Sequence, residues 1–528
     1  MGKREKPQQL QRAGVEGRPP TPLTEISPGR RDAIATGDSL LLIGLAALLT
    51  LTYGYELFNV SLNADESYWA TLSRDGLFRE AVSGGRWVVA ATILASPVTV
   101  APALDVAVGL TGMTGGLWWL VRRLGGLSPK SAFLVLAVLV CLPWTALNLA
   151  FGLNARAFGV AFVCLAIYGQ MLTQESRWRT IGAACAVATA FGAYEAFALG
   201  ALSVAAMMLV LRPAGKTAFR AGLTLAAGVA ASGIVTAVAR TLLRVPANPY
   251  VDEAAQGWRH LFADPTGVIV TTGREVLSNT GLLGAIFGRS LPWLPLVALI
   301  ATSMAIKAAW MPNRPAGRTF RILGLGIILA VPFLAQLIAT DLPRRAMVYL
   351  PIVGVCLAIV GYQGVPHLRR PTRPMLFPAM AGICGLLIFG LASITSVTLQ
   401  SADLVSARDR AVAFEIDEQI KSLSSAQASA DRPVVVMASA GWPSSDAFPA
   451  RELIGLSAYT STPWFSAAYL KLQGVAVKAP TRVQYDQGIA TLRGMPRYPQ
   501  PGWVRIEGDL ILVRIDDCSS AECAVTGL

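Results

Sequence analysis

The chain has 528 residues, 53% of them hydrophobic and 15% charged, with a formal net charge of +13 and a mean hydropathy of +0.51. Soluble domains carry about a quarter charged residues, so the composition excludes an ordinary soluble enzyme and predicts a polytopic α-helical membrane protein. The positive balance does not make it a nucleic-acid binder. No basic run is interleaved with aromatics, and Lys and Arg in the loops of a membrane protein chiefly set its orientation.

Residues 1–37 are rich in Pro, Arg and Gln and hold no apolar core, which predicts a disordered cytoplasmic tail. The first apolar run, 39–60, is long enough to span and is followed by no small-residue cleavage pattern, so it reads as a signal anchor. Further runs of near-spanning length fall at 101–121, 131–147, 154–172, 180–194, 196–211, 221–243, 291–311, 322–340, 346–363 and 375–398. These make eleven expected crossings over a bundle 38–399. The pair 180–194 and 196–211 is separated by "GAYEAF", where Glu195 is costly in mid-bilayer and so marks an interface.

Loop charge orients the bundle. Arg122, Arg123 and Lys130, then Arg177 and Arg179, then Arg212, Lys216 and Arg220 recur on alternate loops. So do Lys307, Arg314, Arg318 and Arg321, then Arg369, Arg370 and Arg373. These loops share a side with the basic N-terminal tail, which the positive-inside rule makes cytoplasmic. The opposite side receives 61–100, 148–153, 194–195, 244–290, 341–345 and everything after 399.

The first outer loop, 61–100, carries "NADESYWATLSRDGLFREAVSGGRW". Residues 65–82 are expected to be helical with a break at Gly76. Tyr68, Trp69 and Leu72 would share a face lying in the membrane interface. "GGRWVVAATILAS" is too short to span and is expected to dip in or lie along the bundle. Asp65 and Glu66 then stand at the boundary between lipid and water. Ordinary interface solvation would explain acids there. The same face, however, also carries Arg86, Glu195 and the pair Arg344–Arg345 in "TDLPRRAMVYLP". Adjacent Arg residues before an apolar span suit an anionic ligand, which Arg binds bidentately; headgroup anchoring is the alternative.

After 399 charge rises and apolar runs shorten. "ARDRAVAFEIDEQIKSL" places Val412, Ile416 and Ile420 at helical spacing, and "PVVVMAS" and "DLILVRI" read as short buried strands. A C-terminal extracytoplasmic α/β domain, 400–528, is expected. Five of the seven Cys sit in apolar runs and read as small hydrophobes. Cys518 and Cys523 lie in a polar tail, where an oxidising compartment would let them pair or leave both thiols free. His260 and His367 are isolated, no zinc set is present, and no metal or other cofactor is expected, although neighbouring acids could recruit a divalent ion.

A carboxylate and a phosphate clamp at one membrane boundary suit glycosyl transfer from a polyprenyl-phosphate sugar. The acceptor hydroxyl must lose a proton as it attacks, and the phosphate leaving group gains charge that fixed guanidinium groups stabilise. The acidic pair after the first span, "SGGRW", "FGAYEAFALG", "PRRAMVYLP" and the late "GMPRYPQPGWVRIEGDLILVRI" resemble the GtrII glucosyltransferases of O-antigen modification, across most of 39–515. Those are similar to the wider polytopic GT-C glycosyltransferases.

The resemblance implies an inverting enzyme of the bacterial inner membrane, with a polyprenyl-phosphate hexose as donor and an envelope polysaccharide as acceptor. Asp65 would be the general base and Glu66 a second acid or acceptor contact. Arg86 would orient the loop or touch the donor, Tyr194, Glu195 and Trp69 would line the cavity, and Arg344 and Arg345 would hold the phosphate. The chain departs from that family in having Asp-Glu where two Asp are common and Glu195 where Gln is common. Trp442, Tyr459, Trp464 and Tyr498 are aromatic candidates for sugar stacking or for core. The competing classes are an O-antigen polymerase or ligase, a lipid-linked sugar transporter or flippase, and a non-enzymatic envelope assembly protein. No internal repeat supports the transporter, and mid-span charge reads as sparse.

Overall fold

The computed structural model describes residues 28–58, 64–96, 101–149, 152–248, 264–286, 289–310, 315–338, 344–364, 373–423, 432–439, 457–459 and 463–517. Backbone polar groups have no partner in hydrocarbon other than each other, so an apolar chain crosses a bilayer as helix. The apolar runs are accordingly helical. In chain order they are α1 (Pro28–Phe58), three short helices α2 (Ala64–Thr71), α3 (Arg74–Ser83) and α4 (Trp87–Ala95), then α5 (Pro102–Trp119), α6 (Pro129–Val140), α7 (Pro143–Leu149), α8 (Gly152–Leu172), α9 (Arg177–Ala193), α10 (Phe197–Leu211) and α11 (Gly215–Leu243). After α12 (Pro265–Asn279) and a small hairpin, β1 (Ala285–Ile286) and β2 (Arg289–Ser290), come α13 (Trp293–Ala309), α14 (Pro315–Ile338), a 3-10 helix (Arg344–Tyr349), α15 (Leu350–Gly364) and α16 (Arg373–Leu423).

Among the described residues, five helical stretches are long and apolar enough to cross a membrane: Ala103–Leu124, Asn154–Leu172, Gly215–Leu243, Gly317–Ala335 and Pro378–Leu423. Shorter apolar helices pack among them.

Three expected boundaries move, each for a local reason. The run 131–147 is not one helix. Pro143 has no N–H to continue the ladder, so α6 ends at Val140 and Pro143 opens α7. The first-loop helix breaks at Leu72–Ser73, not at Gly76. The Ser73 hydroxyl accepts the N–H of Gly76 and caps α3, which makes Gly76 an interior residue of the first turn. The segment 407–423 is not a separate helix. Neither Gly nor Pro occurs between 391 and 423, and α16 runs unbroken for 51 residues. The pair 180–194 and 196–211 is two helices, α9 and α10, parted where the Tyr194 backbone becomes extended.

The tightest seam in the bundle joins α5 to α8. Gly109, Gly112 and Gly116 lie on one face of α5. A Cβ on Gly109 would stand 2.7 Å from the Ala155 carbonyl, one on Gly112 2.6 Å from Gly159 Cα, and one on Gly116 2.6 Å from the Phe162 carbonyl. Without hydrophobic gain between helices in lipid, such small-residue seams let van der Waals packing hold the pair.

The last part of the chain contributes a four-stranded mixed sheet. Its strands β3 (Arg432–Met437), β4 (Val477–Lys478), β5 (Val504–Glu507) and β6 (Leu510–Arg514) lie in the order β4-β3-β6-β5. β3 is parallel to β4 and β6, and β5 is antiparallel to β6. Helices α17 (Pro463–Leu472) and α18 (Arg482–Leu492) pack on it. Side chains alternate across β3 as the pleat requires. Val434 and Val436 meet Val412, Ile416 and Ile420 of α16 on one face, while Val435 and Met437 meet Tyr485, Ile489 and Leu492 of α18 on the other.

Asp409 of α16 ties in residues 457–459. Its carboxylate accepts the Ser457 hydroxyl at 3.0 Å and the Ala458 N–H at 2.8 Å, and its carbonyl accepts the Tyr459 hydroxyl at 3.0 Å. Tyr459 is therefore core, Tyr498 meets Trp503 edge-on, Trp464 is partly buried, and Trp442 lies outside the described residues.

Replacing Gly112 by Val inserts three carbons where the helices touch through backbone. Overpacking of this kind costs about 1–3 kcal/mol. The variant is expected to unfold at a clearly lower midpoint in detergent, whereas Gly115→Val, at a glycine with open space around it, is expected to leave the midpoint nearly unchanged.

Candidate functional site

Much of the charge in the first loop holds backbone. Arg74 donates from Nη2 to the carbonyls of Ile93, Leu94 and Ser96 at 3.0, 2.5 and 2.9 Å, closing the C-terminus of α4. Arg79 bonds Asp75 at 2.8 Å and donates to the Leu243 carbonyl at 3.1 Å. Arg240 of α11 answers from the other side, donating to the carbonyls of Val82 at 3.3 Å and Ser83 at 2.5 Å. The indole of Trp87 donates to Ser232 at 2.8 Å. Two short helices that could not stand alone in water, α3 and α4, are thus fastened to α11.

"SGGRW" has a backbone reason. The N–H groups of Gly85 and Arg86 return to the carbonyls of Val82 and Ala81, and Gly85 adopts a φ of +79°. This is a left-handed helix cap that glycine enters without steric cost. It turns the chain out of α3 and aims Arg86 at the α9–α10 break. There the guanidinium lies 4.9 Å above the Tyr194 ring centroid, a cation–π contact. Arg86 Nε is buried without a hydrogen-bond partner among the described residues. Phe158 of α8 backs the Tyr194 ring at 5.5 Å.

Glu80 stands in the field of Arg86. It is half-buried, and loss of hydration raises its carboxyl above the ordinary 4.5, with Arg86 pulling the other way. Tyr68 is raised by burial and then by the charge of Glu80, and its ring meets Phe465 of α17 edge-on at 5.1 Å. Helix α17 from the C-terminal part therefore packs on α2 in the first loop. Trp69 is partly buried against the main core.

Of the residues singled out in the sequence, the structure joins Arg86 to Tyr194, with the partly exposed Glu195 next in the chain. Asp65 and Glu66 lie on α2, and Arg344 and Arg345 open the 3-10 helix; the side chains of all four, together with Cys518 and Cys523, lie outside the described residues. The 3-10 helix packs against α7 and α10. Just beyond it, Ile352 abuts Gly200, where an added Cβ would stand 2.7 Å from Ile352 Cδ1. The backbone at 344–349 is therefore near the end of α10 that follows Tyr194. Among the described residues no three His, Cys, Asp or Glu side chains gather as metal ligands.

Two features of this region are not legible in the sequence. Glu80 is one of several acids in the first loop and nothing in the sequence sets it apart. Asp105 and Arg156 form a buried ion pair at the end of the α5–α8 seam, with Asp105 fully buried and also accepting the Ala101 N–H at 3.2 Å. Arg156 Nη2 is buried without a hydrogen-bond partner among the described residues. An acid and a base near the starts of two apolar helices were the available signal. No family model matches the chain, and no curated protein matches it.

A carboxyl raised in the folded protein binds its proton more readily there than in the unfolded chain. The stability Glu80 contributes is therefore complete below pH 4.5 and is lost as pH rises through the raised folded value. Unfolding midpoints of the wild type and Glu80→Gln, measured between about pH 4 and pH 7, are expected to converge at the acid end. The wild type should fall more steeply toward neutrality; parallel curves would count against the assignment.

Proposed function

We propose that the protein is an inverting glycosyltransferase that moves a hexose from a polyprenyl-phosphate donor to a cell-envelope polysaccharide, in the manner of the GtrII and GT-C enzymes it resembles. In this reading the bundle crosses the bacterial inner membrane eleven times with the N-terminus in the cytoplasm. The Tyr194 end of the bundle and the sheet then face outward.

The observation that carries the reading is the stacking of Arg86 on Tyr194. Two motifs more than a hundred residues apart, each picked out for its chemistry, meet at one end of the bundle. The helix that begins at Arg344 packs on the element that follows Tyr194. In the proposed mechanism Asp65 takes the acceptor proton as the hydroxyl attacks the anomeric carbon, and Glu66 contacts the acceptor. The carbon–oxygen bond to the phosphate breaks, and Arg344 and Arg345 take up the charge that develops on the departing phosphate. Arg86 fixes the loop over the cavity, with Tyr194, Glu195 and Trp69 as walls.

One observation favours a second reading. The buried Asp105–Arg156 pair places charge inside the bundle, near the starts of two apolar helices, and buried ionisable groups in such bundles can mark transport pathways. Purified protein in vesicles separates the two: a transporter moves the lipid-linked sugar across the bilayer and leaves it intact, whereas a transferase yields a glycosylated polysaccharide and free polyprenyl phosphate.

Asp65→Asn is expected to lower transfer by about 10²–10⁴-fold with unchanged membrane insertion, measured with polyprenyl-phosphate glucose and native polysaccharide. Full turnover of that variant would remove Asp65 as base. Arg344→Ala is expected to raise the donor KM more than the acceptor KM; equal shifts in the two would sink the phosphate clamp.

A further inference from the structure

Helices α3 and α4 are tied to α11 by the hydrogen bonds of Arg79, Arg240 and Trp87. Helix α2, with Asp65 and Glu66 in its first turn, lacks that fastening. Among the described residues no hydrogen bond joins it to the bundle, and its Thr71 hydroxyl turns back to the Tyr68 carbonyl at 2.7 Å. A helix of 8 residues does not hold itself in place, so side-chain packing sets its position. Toward the bundle, Trp69 and Leu72 are partly buried against the main core. Toward the sheet, Tyr68 meets Phe465 edge-on at 5.1 Å, and α17 is the element that packs most extensively on α2.

Phe465 is itself held in place. The next residue, Ser466, is buried and donates to the Ala458 carbonyl at 2.9 Å, while the Ala458 N–H donates to the Asp409 carboxylate of α16 at 2.8 Å. One turn on, Tyr469 meets Tyr459 edge-on at 5.8 Å. A short path of direct contacts therefore runs from α16 through α17 to the Tyr68 ring.

We propose that Tyr68 and Phe465 are positioning residues: their contact sets the placement of α2, so that the C-terminal part of the chain holds the base-bearing helix where transfer takes place. The inference rests on the glycosyltransferase reading and gives the residues beyond the bundle a part in it. Neither ring touches substrate in this role. A helix displaced as a body carries Asp65 and Glu66 with it, and a shift of about 1 Å at a reacting group costs up to about 10²-fold in rate. The donor phosphate is assigned to Arg344 and Arg345, on a 3-10 helix that packs against α7 and α10. Loss of the ring contact therefore acts on turnover and not on donor binding.

The test uses the full-length protein in detergent. Transfer from polyprenyl-phosphate glucose to native polysaccharide and amide hydrogen exchange are read on the same variants. Phe465→Ala is expected to lower kcat by about 10–10²-fold at an unchanged donor KM. Tyr68→Ala is expected to do the same, and the double variant to lose no more than either single one, because both remove one contact. Tyr68→Phe keeps the ring and is expected to keep the wild-type kcat. Exchange of residues 64–71 in Phe465→Ala is expected to quicken about ten-fold, the upper range of what one aromatic pair contributes. Residues 74–83, tied to α11 on their own, are expected to exchange as in the wild type. Additive losses, a loss in Tyr68→Phe equal to that in Tyr68→Ala, or exchange that is unchanged in 64–71 or quickens equally in 74–83 overturns the positioning role. So does an unchanged kcat in Phe465→Ala when the wild type transfers sugar. A wild type that transfers no sugar overturns the glycosyltransferase reading itself and, with it, the role of α2 in transfer.

Discussion

The glycine seam between α5 and α8 is the contact on which the described arrangement rests. Backbone-to-backbone approach at Gly109, Gly112, Gly116 and Gly159 leaves no room for a shift along or around the pair. With α8 fixed, Phe158 and Phe162 press on Phe197 at 5.6 and 5.3 Å, and Phe158 also backs Tyr194. The start of α10 and the ring that ends α9 are thereby oriented before any loop is added. The Asp105–Arg156 pair closes the same seam at one end. Burying two charges contributes little net stability, but a pair that meets in one alignment penalises every other, which suits a register device.

The first loop inverts the usual division of labour between charge and core. Its arginines are spent on carbonyls at helix ends, where orphan acceptors collect, so the loop is fastened by hydrogen bonds more than by buried side chains. Leu77 and Val82 of α3 are buried, yet the cross-links to α11 come from Arg79, Arg240 and Trp87. The guanidinium of Arg86 serves an aromatic ring, not a carbonyl, and Glu80 titrates in its field. That pairing is what sets this corner of the loop apart from its scaffolding.

How far the sequence was legible follows from the range of each interaction. Apolar runs announce helices because composition alone decides them. The break at Tyr194 was visible because Glu195 cannot sit in mid-bilayer, and both core strands of the sheet were visible as short runs between turn signals. Local chemistry misled at Ser73, where a cap outranks a glycine, and at Pro143, which cut an otherwise apolar run. The Asp105–Arg156 pair was illegible because its partners are 51 residues apart and each alone resembles a helix-end charge. Glu80 was illegible because its burial is created by packing that no window of sequence contains. Arg86 and Tyr194 each stand out in the sequence, but their meeting depends on α4 lying against α8 and α9.

Helix α16 joins the bundle to the sheet without a hinge. At 1.5 Å per residue its 51 residues reach roughly 77 Å, well over twice the thickness of bilayer hydrocarbon. A linker of glycine and serine would let the sheet tumble. A continuous helix instead acts as a lever arm, held within the bundle by Leu291 against Gly390 and near its C-terminal end by Val412, Ile416 and Ile420 in the sheet core. Torque applied to the sheet arrives in the bundle as tilt or rotation of one rod, and the two parts keep a fixed bearing toward each other.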